Sequence, residues 1–84
     1  AMRLTKKEKE VLGRQYAEGL YRGRIESPAD LPALKNRRDW QEAPEYERRN
    51  IISELATMAR DELLKAGHNR ETVLKYVGKH IRHW

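Results

Sequence analysis

The apolar residues of this chain recur every third or fourth position, and nowhere do they alternate. That spacing is the repeat of one face of an α-helix, and it argues against half-buried strands. Leu12, Tyr16 and Leu20 follow one another at i, i+4 and i+8, with Val11 at the edge of their stripe. Ile52, Leu55, Ala59, Leu63 and Ala66 share a second face, flanked by Ile51 and Met58. Val73, Val77, Ile81 and Trp84 make a third, with Leu74 beside it. The expected fold is all-α, a small bundle of three main helices plus one short helix. It forms a single helical domain over residues 2–84, with Ala1 read as a remnant of tag removal.

Punctuation between the stripes sets the expected boundaries. Thr5 and Glu8 have the spacing of a capping box, so the first helix opens there and ends near Arg24. Gly19 and Gly23 lie near its stripe and would let another helix approach closely. Ser27, Pro28 and Asp30 suit the start of a short helix near residues 28–35. Asp39 and Glu42 can form a capping pair, which leaves Trp40 and Pro44 as alternative starts for the long helix. Gly67 is its expected C′ residue, and Asn69 caps a last helix that carries the stripe on to Trp84.

With 84 residues, 38% apolar and no Phe, the core is small. Cores of this size rarely supply more than about 3–5 kcal/mol net, so a partner or a homodimer contact through the glycine-lined first helix would contribute to stability. The chain has no cysteine, which excludes disulfides and Cys-based zinc sites and fits a cytoplasmic protein. No apolar run approaches the roughly 18 residues that a membrane span needs, so no membrane partner is expected.

Charge is distributed unevenly. Residues 1–25 hold seven Lys or Arg against three Glu, residues 26–64 hold six against nine acids, and residues 65–84 hold five against one. The ends are therefore basic and the middle acidic. Basic faces attract polyanions, nucleic acid above all, unless they pair with the acidic middle inside one fold.

Few groups suit catalysis, and the chain is not expected to be an enzyme. Ser27 is explained as a cap and Ser53 sits mid-helix, while no Gly-rich loop precedes a helix to cradle a phosphate. His80 and His83 are i, i+3 neighbours, but His68 lies about 18 Å away along a helix, too far to complete a metal site. No metal or other cofactor is expected. Trp40 suits packing over the start of the long helix, or an exposed binding anchor.

The segment "AGHNRETVLKYV" is similar to the second half of the helix-turn-helix of resolvase-like and repressor-like DNA-binding domains. Gly67 would make the turn, Asn69 would cap the recognition helix, and Thr72 and Val73 would pack inward. The resemblance implies that Asn69, Arg70, Glu71 and Lys75 face nucleic acid, with Lys79 and Arg82 holding phosphates. The sequence departs from that pattern at Glu62, His68 and Leu74. Residues 39–64, opening "DWQEAPEYERRNI", look like many small helical proteins of phages and mobile elements. That likeness implies the alternative, a protein that inhibits or adapts a host complex, such as an anti-CRISPR or a transcription inhibitor. Tyr21, Trp40, Tyr46 and Tyr76 are its candidate protein contacts.

Overall fold

The computed structural model describes residues 2–81, and all of its regular structure is helical. Helix α1 spans Lys6–Tyr21, α2 Pro32–Lys35, α3 Arg38–Glu42, α4 Glu45–Lys65 and α5 Arg70–Val77. Short 3-10 turns cover Pro28–Asp30 and Gly78–His80. Helix α1 packs along α4, and α5 and both 3-10 turns also rest on α4, so the longest helix is the hub.

The capping box at the start of α1 is complete. The Glu8 amide donates to Thr5 Oγ1 at 3.1 Å, and the Thr5 amide donates to Glu8 Oε1 at 2.9 Å. Its end comes earlier than expected. Gly23 turns left-handed, with φ 68°. The Arg24 amide then reaches Gly19 O at 2.8 Å, and the Gly23 amide reaches Leu20 O at 3.1 Å. This is a Schellman closure, in which glycine takes the conformation other residues resist. Gly23 is thus a terminator, not a packing notch. The notches are Gly13 and Gly19, and both are filled from within the chain. A Cβ at Gly13 would lie 2.9 Å from Met58 Cβ on α4, and one at Gly19 would lie 2.5 Å from Ile25 Cγ1. Gly19 therefore lacks the open surface that suggested a dimer contact.

Of the two alternative starts for the long helix, the structure takes Pro44, which is the N-cap of α4 before Glu45, and Trp40 belongs to the separate helix α3. Ala43 precedes a proline and is extended (φ −67°, ψ 140°), which breaks any continuous helix at that point. Asp39 does not pair with Glu42. Its carboxylate binds Arg37, whose guanidinium also donates to Glu8 Oε2 at 2.9 Å and ties α3 to the start of α1.

The core is built from the expected stripes with local shifts. Tyr16, Leu34, Leu55, Val73 and Val77 are wholly buried. On α4 the buried member of the isoleucine pair is Ile51, with Ile52 only partly covered, and Ala56 replaces Ala66, which is exposed. The last helix is shorter than its stripe. It stops at Val77, a 3-10 turn follows, and Ile81 is extended yet still buried. The backbone departs from helical angles at Val77 (φ −119°, ψ −9°), whereas Gly78 keeps them (φ −55°, ψ −39°). Trp84, Arg82 and His83 lie outside the described residues.

Candidate functional site

The corner between α4 and α5 is assembled by backbone chemistry. Gly67 (φ 98°) ends α4 as its C′ residue, and the amides of Gly67 and His68 donate to Leu64 O and Leu63 O, each at 3.1 Å. Asn69 then caps α5, its Oδ1 accepting from the Thr72 amide at 2.8 Å. That bond commits the Asn69 carbonyl oxygen to structure and leaves its amide NH₂ as the group facing outward chemistry. His68 packs edge-on against Tyr21, with ring centroids 5.1 Å apart and planes at 71°.

Helix α5 divides by face. Val73 and Val77 are fully buried, and Thr72 and Tyr76 are partly so. Arg70, Glu71, Leu74 and Lys75 are exposed, and Lys79 follows on the 3-10 turn, also exposed. Leu74 is 46% exposed, an apolar patch between the polar groups. Among the described residues, neither Lys75 nor Lys79 takes part in an ion pair. The acidic middle of the chain therefore does not neutralise them. Among the acids of that middle segment, Glu54 pairs with Lys9 at 2.7 Å and Asp39 with Arg37, which also holds Glu8 from the basic N-terminal segment.

Lys75 and Lys79 border a shallow groove of about 280 Å³ together with Tyr76. The facing bank comes from the segment after α1: Gly23, Ile25 and Glu26, above Leu20. Sequence reasoning named the lysines but not this bank. The position of Gly23, Ile25 and Glu26 beside α5 depends on the Gly23 turn and on how α1 and α5 both seat on α4.

The four candidate protein contacts do not form one surface. Trp40 is 6% exposed and belongs to the core, with the Arg48 guanidinium 6.0 Å from its ring. Burial at the junction of α3 and α4 removes it as an exposed anchor. Tyr46 is exposed on the first turn of α4, and Tyr76 packs against the core beside the lysine groove. Tyr21 is exposed and borders a different groove, of about 590 Å³, with Arg14, Glu18, Glu62 and His68.

Among the described residues no three His, Asp or Glu side chains are placed to hold a metal ion. The perturbed acids are structural. Hydrogen bonds from Thr5, then the pair with Arg37, hold Glu8 below the usual carboxylate range, and Arg37 does the same to Asp39. His80 titrates below its ordinary value because burial and the neighbouring Lys79 disfavour its charged form, against the opposing pull of the Glu26 backbone and Asp30. No helix among the described residues is long and apolar enough to cross a membrane.

No family model, curated protein or solved structure matches this chain.

Proposed function

We propose that this all-α chain, a small bundle of three main helices, is a non-catalytic cytoplasmic regulator that binds DNA through the α4–α5 corner. One observation carries the reading: Lys75 and Lys79 flank the exposed side of a short capped helix and have no ion pair among the described residues. Two cations that border one groove with no intramolecular ion pair among the described residues are suited to an external anion. They would neutralise phosphates and release counterions. Asn69, Arg70 and Glu71 stand at the N-terminal end of α5, the end that meets base edges in helix-turn-helix docking. Arg82 would extend the phosphate contacts. DNA-binding proteins of this class commonly act as dimers, which light scattering would reveal.

The test is fluorescence anisotropy with a DNA duplex over a salt series. Binding should weaken steeply with salt, and Lys75→Gln with Lys79→Gln should lower the log–log slope by about 1.8, at about 0.9 per phosphate contact. No binding at low salt, or an unchanged slope, would sink the reading.

A second reading is favoured by Tyr21. It is 63% exposed at the rim of the larger groove, a large aromatic with a polar tip of the kind enriched at interfaces. On this reading the chain is a phage or mobile-element protein that inhibits or adapts a host complex. Nuclease-treated pull-downs distinguish the two: a partner that survives nuclease and is lost with Tyr21→Ala belongs to the second reading alone.

A further inference from the structure

Resting on the DNA-binding reading, we infer that the interface is two-sided. The backbone of duplex DNA crosses from Lys75 on α5 and Lys79 on the 3-10 turn that follows it to Arg24 on the turn after α1. Ile25 lines both the lysine groove and the groove next to it, and that neighbouring groove carries Arg22 and Arg24. The two grooves are thus adjoining surfaces around one turn. Arg22 is committed to Glu18 at 3.2 Å, whereas Arg24 has no ion pair among the described residues. A phosphate chain laid along the lysines therefore meets Arg24 as the next unpaired cation.

The turn is held in place before any ligand arrives. The Schellman bonds of Gly23 and Arg24 close it, Ile25 sits against Gly19, and the Tyr16 hydroxyl donates to Glu26 O at 2.8 Å. Nothing lies within 4 Å of the space a Gly23 side chain would occupy, so the surface there is open. Such preorganisation limits the entropy lost on binding.

Two details favour the backbone of a duplex over a single strand. Single-strand sites use exposed aromatic rings as stacking platforms. The one aromatic in this groove, Tyr76, is partly buried and packed against the core. The cations lining the two grooves are Lys75, Lys79, Arg22 and Arg24, against two acids: Glu18, which is paired with Arg22, and Glu26. Glu26 lines the lysine groove and opposes an anion there. It makes the proposal testable in both directions, because removing its charge should strengthen binding.

The experiment compares Arg24→Gln, Glu26→Gln and the Lys75→Gln/Lys79→Gln pair, each shown by circular dichroism to be folded, on a duplex and on one of its single strands. Arg24→Gln should lower the duplex salt slope by about 0.9. Glu26→Gln should bind the duplex several-fold more tightly at low salt. If the lysine pair weakens binding while Arg24→Gln and Glu26→Gln match the parent, the second bank is wrong and the corner alone binds. If the parent protein binds no duplex, both ideas fall. Tighter binding of the single strand overturns the duplex assignment.

Discussion

Tyr16 offers a sharp test of how the chain is held together. It lies at the centre of α1, wholly buried, and its hydroxyl is the only polar atom of the side chain. That hydroxyl donates to Glu26 O at 2.8 Å across the turn that ends α1. Tyr16→Phe keeps the ring and its packing and removes one neutral hydrogen bond. The expected loss is about 1 kcal/mol, the net worth of such a bond, with little added penalty because Glu26 sits at the surface. For a domain of this size that loss lowers Tm by about 4–8 °C. Burial also pushes the Tyr16 phenol well above its ordinary pKa of 10.0. A raised acid pKa means that the unfolded chain releases its proton first. The stability it contributes is therefore present below pH 10 and lost as pH rises beyond it. Urea unfolding gives the first quantity, and phenolate absorbance during an alkaline titration gives the second. The lagging part of that titration should vanish in Tyr16→Phe. An unchanged urea midpoint, or a titration the same in both proteins, would refute the reasoning.

Further outcomes follow from the same contacts. Gly67→Ala should cost about 1–2 kcal/mol in urea unfolding, since φ 98° is strained for Ala while no neighbour lies within 4 Å to add a clash. Leu34→Ala should cost about 2–5 kcal/mol by the same assay, because the side chain is wholly buried and leaves a cavity. His80 is held below its ordinary value of 6.5, so the unfolded chain takes up the proton first and stability declines as pH falls below about 6.5. His80→Gln should flatten that part of the stability–pH curve. Glu8 and Asp39 are also lowered, so their contribution is present above pH 4.5 and 3.8 respectively and is lost as pH falls through their folded values. Arg37→Ala should shrink that acid limb.

Much of the helical pattern was legible in the residues themselves. The capping box at Thr5, the C′ role of Gly67 and the cap at Asn69 are local chemistry, decided within a few positions, and each forms as its sequence implies. The stripe of α1 also reads directly, because burial follows helical spacing, while that of the last helix holds only for Val73 and Val77 before the helix stops. What failed to read was anything decided between segments. Gly19 and Gly23 look alike in sequence, yet one is filled by Ile25 and the other reverses the chain. Pro44 separates α3 from α4 because Ala43 must be extended before it, while the capping pair at Asp39 gives way to a stronger partner in Arg37. Which of Ile51 and Ile52 turns inward depends on how α4 rotates against α1. For the candidate site, Lys75 and Lys79 could be named from spacing and charge. The opposite bank could not, because it meets them only through two helices that share a third.

The close approach of α1 and α4 has a consequence for how the protein ages. At Gly13 the two helices are separated by little more than the Met58 side chain, whose sulfur and terminal methyl lie 3.7 and 3.8 Å from where a Gly13 Cβ would be. Peroxide would place a bulky polar oxygen on that thioether, which is only partly buried and lines a groove of about 270 Å³ with Arg14, Asp61 and Glu62. A preparation stored in air would then loosen the α1–α4 contact at Gly13, and replacing Met58 with Leu would remove that route of ageing.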